Sequence, residues 1–166
     1  MVVLGIDPGS AITGYGIVET KNDELECKEF GCIRLQQHKE FYLRLKKIYD
    51  TVNSLINQYN PDKVVFEDVF YGRNIKAVLQ LGQARGAAIL ASVNAEKPIT
   101  IYSPREVKQA LTGFGGASKE QVQKMVKSLL NIENSITPLD ASDALAIAIC
   151  HINRYQTELK LNKSMR

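Results

Sequence analysis

Two short apolar runs, VVLGI before Asp7 and VVF before Glu67, constrain this chain more than any other feature. Each is too short for a helix of ordinary length, and each ends in a carboxylate. Unbroken apolar runs of this size read as strands buried on both faces, the kind that sit side by side at the centre of a parallel or mixed sheet. The first run stops in Asp-Pro-Gly-Ser (7–10), a turn signal. The chain is therefore expected to be α/β, with residues 2–7 and 63–67 as parallel central neighbours.

The remaining pattern fits around that pair. TGYGIVET (13–20) alternates and predicts a second strand, and ELECKEFGCIRL (24–35) a third. Lys21-Asn22-Asp23 turns between them, which makes an antiparallel meander of the first three strands. From residue 38 the period changes. Phe41, Leu45, Ile48, Val52, Leu55, Ile56 and Tyr59 share one helical face, and Asn60-Pro61 ends that helix. NIKAVLQLGQARGAAILASVNA (74–95) predicts a long apolar helix in which Gly82 and Gly86 form a flat strip for close packing. ITIYS (99–103) predicts a fifth strand. Pro104 opens a helix over 104–111, and the loop GFGGA (113–117) follows. Ser118 and Gln121 have the spacing of a capping box that starts a helix over 118–131. Thr137 and Pro138 start a last helix that is expected to run through about Tyr155. Residues 1–156 read as a single domain, and 157–166 as a polar, frayed tail.

A chain of 166 residues can bury a sizeable core. No apolar stretch is long enough to span a bilayer, and no leader-like segment opens the chain, so the expected location is the cytoplasm. Cys27, Cys32 and Cys150 are few and unpatterned, and read as reduced thiols. Charge is unevenly spread. Residues 1–69 carry 8 Lys/Arg against 11 Asp/Glu, whereas residues 70–166 carry 13 against 7. On charge alone, a basic face that meets phosphate and a scatter over solvated surface are equally open.

The acids are more specific. Asp7 and Glu67 fall at the carboxyl ends of central strands, outside which α/β sheets bind ligands. Neighbouring strands lie ~4.8 Å apart, so the two side chains could share one cation. Asp140 and Asp143, three residues apart on a helix, lie about 60° apart on one face. In DASDALAIAI (140–149) they are the only charges. Two such acids repel unless a cation sits between them. Hard divalent cations prefer oxygen ligands, and a pair of them ~3.5–4 Å apart serves phosphoryl transfer. Structural readings stand beside these: Asp7 could only shape its turn, Glu67 could be an exposed strand end, and Asp140 could only complement a helix dipole. His151 lies ~16 Å along a helix from Asp140 and His38 begins a remote helix, so neither is expected to join the acids.

The segment GIDPGSAITGYGIV (5–18) closely resembles the opening of the RuvC family of bacterial Holliday-junction endonucleases. FEDVF (66–70), LGQARGAAILAS (81–92), SPREVKQALTGFGGASKEQVQKMV (103–126) and DASDALAIAI (140–149) are similar to the family in the same order, so the resemblance covers about Val2 to Tyr155. It implies an RNase H-like (retroviral-integrase-like) mixed five-stranded sheet flanked by helices. It also implies a homodimer that makes paired symmetric nicks in opposed strands of four-way DNA junctions during recombination and repair. The implied cofactor is Mg²⁺, two ions per subunit, with Mn²⁺ as a substitute. The implied partner is the RuvA–RuvB branch-migration complex. The family's four catalytic, metal-binding acids fall on Asp7, Glu67, Asp140 and Asp143. Its basic DNA contacts look like Lys108 and Lys119, and its stacking aromatic like Phe70. The residues themselves agree: an aromatic just past a metal-bearing strand can stack on an unpaired base, and Lys119 lies in a first helical turn, where free N–H groups favour phosphate. Core packing of Phe70 and a solvated surface for the two lysines are the alternatives on the residues alone.

Other classes fit less well. A nuclease of the same fold acting on RNA–DNA hybrids or ribosomal RNA precursors shares the acids. Sugar-kinase or actin-like ATPases share a GIDxG turn but need two large lobes, for which this chain is too short. A non-catalytic junction binder would have lost one of the four acids, and none is lost.

Overall fold

The computed structural model describes residues 1–68 and 74–164. Five strands form one sheet: β1 (Val2–Asp7), β2 (Ile12–Lys21), β3 (Glu24–Arg34), β4 (Lys63–Glu67) and β5 (Ile99–Tyr102). Their order across the sheet is β3-β2-β1-β4-β5. The β1–β2–β3 meander is antiparallel, and β1, β4 and β5 are parallel neighbours. The expected pairing of the two apolar strands at the centre is therefore present. Val3, Leu4, Ile6, Val64, Val65 and Phe66 are fully buried, as strands covered on both faces must be.

Two helices cover one face. These are α1 (Phe41–Tyr59) and α2 (Ile75–Asn94). The expected α1 stripe supplies buried Ile48, Val52, Leu55 and Ile56, which pack with Leu4, Ile6 and Phe66. Asn60 closes α1 in a left-handed conformation, φ 44°, just before Pro61. Asn74 caps α2, its side chain accepting from the Ala77 N–H.

The other face carries α3 (Pro104–Thr112), α4 (Lys119–Leu129) and α5 (Leu139–Ser164). Ser118 and Gln121 form the expected reciprocal cap. Ser103 and Glu106 form a second one ahead of Pro104, which the sequence reading did not anticipate. From Ala141 to Ile152, α5 is buried almost without interruption, between the sheet and the α3–α4 pair. Small residues at 141, 144, 146 and 148 make that depth possible. At its far end α5 differs from expectation: it runs on to Ser164 rather than ending near Tyr155. Glu158, Leu159, Lys160 and Leu161 are good helix formers with no Gly or Pro among them, so nothing stops the helix although its surface is exposed. None of the helices among the described residues is long and apolar enough to cross a membrane.

A candidate metal centre at the carboxyl ends of the central strands

Asp7 is the last residue of β1 and Glu67 the last of β4. The parallel register pairs Ile6 with Phe66, so the two carboxylates stand side by side one step further on. Alternation along each strand decides where they point. Leu4, Ile6, Val64 and Phe66 pack under α1 and α2, whereas Val3 and Val65 face α5. Asp7 and Glu67 have the parity of Val3 and Val65 and share the α5 face.

Glycines bring α5 to them. Gly14 is the cross-strand partner of Asp7. A Cβ on Gly14 would sit 2.0 Å from the Asp140 carbonyl oxygen, and one on Gly5 2.1 Å from the Ala144 carbonyl oxygen. The start of α5 thus rests directly on the backbone of β1 and β2. It arrives with Asp140 beside Asp7, and Asp143 follows one turn later on the same face. The turn after Asp7 is held by Thr13, fully buried, whose Oγ1 donates to the Gly9 carbonyl at 2.9 Å.

The electrostatics show that these acids form one group. The Asp7 carboxyl is pushed up to about 8, first by burial and then by the negative charges of Glu67, Asp143 and Asp140. Burial raises Glu67 as well, with Asp143 adding to it and Lys119 and Lys108 opposing. Lys119 Nζ lies 3.3 Å from Asp143 Oδ2, and that negative neighbour raises the lysine's own proton affinity. Among the described residues, no three acids, histidines or cysteines are drawn in tightly enough to clasp an ion as the side chains stand. These two observations are compatible. Like-charged carboxylates without a cation between them keep their distance, and Asp143 turns to Lys119. The donor set fits a hard divalent cation: it is all carboxylate oxygen, partly buried, and carries more negative charge than its one lysine partner offsets.

Lys108, in α3, and Lys119, the first residue of α4, line one cleft with Glu67 and Asp143. The structure therefore joins six of the seven expected site residues. Phe70 lies outside the described residues. His151 stays apart from the acids, as expected, buried with Nδ1 2.7 Å from the Tyr102 hydroxyl. Sequence reasoning missed the glycine seat under α5, although glycines inside a strand pattern signal close backbone approach. It also missed the Arg85 pair with Asp68 at 3.3 Å, next to Glu67. A cation inside a long apolar helix was the available signal.

A family model described as "Crossover junction endodeoxyribonuclease RuvC" matches residues 3–151. The crossover junction endodeoxyribonuclease RuvC of Geobacter sulfurreducens is 54% identical over 153 residues, which cover 92% of this chain and 93% of that protein. Among solved structures, Thermus thermophilus RuvC in complex with a Holliday junction substrate has a TM-score of 0.90 at 32% identity, covering 95% of this chain and 96% of that one. A structure of Thermus thermophilus RuvC has a TM-score of 0.87, also at 32% identity. The sheet order, the acids at the strand ends and these matches agree, and the chain belongs to the RuvC family of crossover junction endodeoxyribonucleases.

Proposed function

We propose that this chain cuts four-way DNA junctions as its family does, as a cytoplasmic homodimer, with Asp7, Glu67, Asp140 and Asp143 holding two Mg²⁺ ions. The observation that carries the reading is the crowding of acids around Asp7, whose carboxyl is pushed up to about 8 first by burial and then by three further carboxylates. An array of acids this unfavourable by itself is explained by a cation that neutralises it. When bound, such ions would supply Lewis-acid stabilisation of the charge that develops on the oxygens of the reacting phosphate. The chain's own residues do the rest. The four acids fix the cation positions from three rigid elements. Lys119 and Lys108 hold the phosphates that flank the scissile bond over the cleft. Phe70 stacks on a base opened at the crossover.

A four-way junction has two-fold symmetry, which a symmetric dimer matches. We assign the dimer contact to α2. Among the described residues, nothing lies within 4 Å of a Cβ added to its Gly82 or Gly86, so the strip does not pack on the sheet. Leu79 and Leu90, 63% and 54% exposed, flank it. Docking to the RuvA–RuvB branch-migration complex belongs to the same reading.

The test is a substrate panel of four-way junction, linear duplex, single strand and RNA–DNA hybrid, with and without Mg²⁺. The expected result is paired symmetric nicks on the junction alone, absent in chelator and absent for Asp7→Asn. Efficient cutting of the hybrid, or full activity in chelator, would overturn it.

A further inference from the structure

The loop between α3 and α4 (113–117) carries Phe114, whose side chain is 66% exposed. Its backbone is not loose. The Phe114 N–H donates to Thr112 Oγ1 at 3.2 Å, the Phe114 carbonyl accepts from the Ala117 N–H at 3.2 Å, and Gln109 Nε2 donates to the Gly113 carbonyl at 2.6 Å. The ring lies over Gly116, where an added Cβ would be 2.6 Å from Cζ. Arg105 lies against the neighbouring Gly115, its Cγ 2.8 Å from the corresponding point. Lys108 follows Arg105 by three residues on α3, and so lies on the same helical side. Lys119 opens α4 just after the loop, and both lysines line the cleft that holds Glu67 and Asp143. An exposed aromatic ring thus sits on a hydrogen-bonded loop that joins α3, which carries Arg105 and Lys108, to α4, which opens with Lys119. Nothing in the loop's own hydrogen bonding calls for an aromatic there.

We infer that Phe114 is a stacking platform for an unpaired nucleobase of the strand entering the cleft, with Arg105 on that nucleotide's phosphate. Positive charge and an exposed ring together suit single-stranded nucleic acid. Gly116 lets the ring lie close on the loop backbone, and the rest of its surface is open to a flat partner. The inference rests on the junction-cutting reading and adds to it a contact that grips the opened strand outside the metal centre.

The chain has no tryptophan, so Phe114→Trp places one indole reporter at this position. The experiment titrates that variant, in chelator, with a four-way junction and with linear duplex of equal length. Alongside it, junction binding is measured for the unmodified protein, Phe114→Ala and Arg105→Gln. Expected are quenching of the indole by the junction far more than by duplex, and binding weakened about tenfold by Phe114→Ala. Arg105→Gln should lower the slope of log affinity against log salt by about one. If the indole does not respond and Phe114→Ala binds as the unmodified protein does, the inference is overturned while the junction reading stands. Equal quenching by duplex also overturns it, as does indole emission that shifts with protein concentration before DNA is added, since a second copy would then cover the ring. Absence of junction binding by the unmodified protein sinks both readings together.

Discussion

Gly14 in β2 and Gly82 in α2 look alike in sequence, each with a second glycine nearby, yet they occupy opposite situations. A Cβ on Gly14 would collide with the backbone of α5, while one on Gly82 or Gly86 would meet nothing among the described residues. The first strip is filled by the chain itself. The second faces outward between exposed Leu79 and Leu90. A small residue marks where something comes close, but not whose backbone it is. Here the filled strip seats the helix that carries Asp140 and Asp143, and the open one is the surface proposed above for the dimer contact.

The largest expected effect comes from filling the occupied strip. Gly14→Ala puts a methyl 2.0 Å from a backbone carbonyl, which no rotamer change relieves. The start of α5 must lift, and Asp140 and Asp143 move with it. Destabilisation of about 3 kcal/mol is expected from such overpacking, read by chemical denaturation. Junction cutting should fall more than 100-fold even where the variant is folded. Normal activity with normal stability would show that α5 does not depend on this seat.

The two strips also show what was legible in the sequence. The β1–β4 pair was readable because both strands are buried on both faces, so their composition needs no partner to interpret. Local chemistry announced the α4 cap at Ser118 and the α1 stripe. The strand-end positions of Asp7 and Glu67 and the spacing of Asp140 and Asp143 were equally plain. What brings those acids together was not, because it depends on α5 crossing Gly5 and Gly14, more than 120 residues away in sequence. What the flat strip of Gly82 and Gly86 packs against was hidden for the same reason: periodicity gives a face, and only the fold says what covers it. The end of α5 was missed because a polar composition was read as fraying, although the residues there favour helix.

Next in size is the consequence of seating α5 so tightly. Asp7 is held at about 8, well above its ordinary 3.8, by burial and by acids that include the two α5 delivers. The folded state therefore binds more protons than the unfolded one between those values. The stability this contributes is fully present below pH 3.8 and is lost as pH rises through about 8. In chelator the protein should lose stability across that window, and Asp7→Asn should flatten the profile. At pH 7.5 the variant should melt about 5 °C higher than the unmodified protein, a gain of about 1–2 kcal/mol. It should at the same time lose junction cutting. The apparent affinity for Mg²⁺ should rise with pH over the same window, because the cation must displace a proton from Asp7. A melting profile of the unmodified protein that is flat in chelator would show that α5 does not crowd Asp7 as described.

The smallest effect tests the open strip, and it has two parts of opposite sign. Gly82→Ala and Gly86→Ala together replace poor helix formers in the interior of α2, each worth about 0.5–1 kcal/mol in favour of the helix. Nothing among the described residues resists the added methyls. Denaturation at low protein concentration should therefore show a protomer stabilised by about 1–2 kcal/mol. If α2 meets its copy across this strip, the same methyls hold two backbones apart. Sedimentation equilibrium should then show a dimer weakened several-fold, while Gly14→Ala leaves a folded fraction with normal dimerisation. A doubly substituted protein that is more stable and dimerises as before would place the interface elsewhere. The open strip would then be a surface without a partner, and the parallel with Gly14 would end at composition. Opposite shifts in stability and assembly are what a strip built for a second copy must produce, because the added methyls that help one chain alone are the ones that obstruct two.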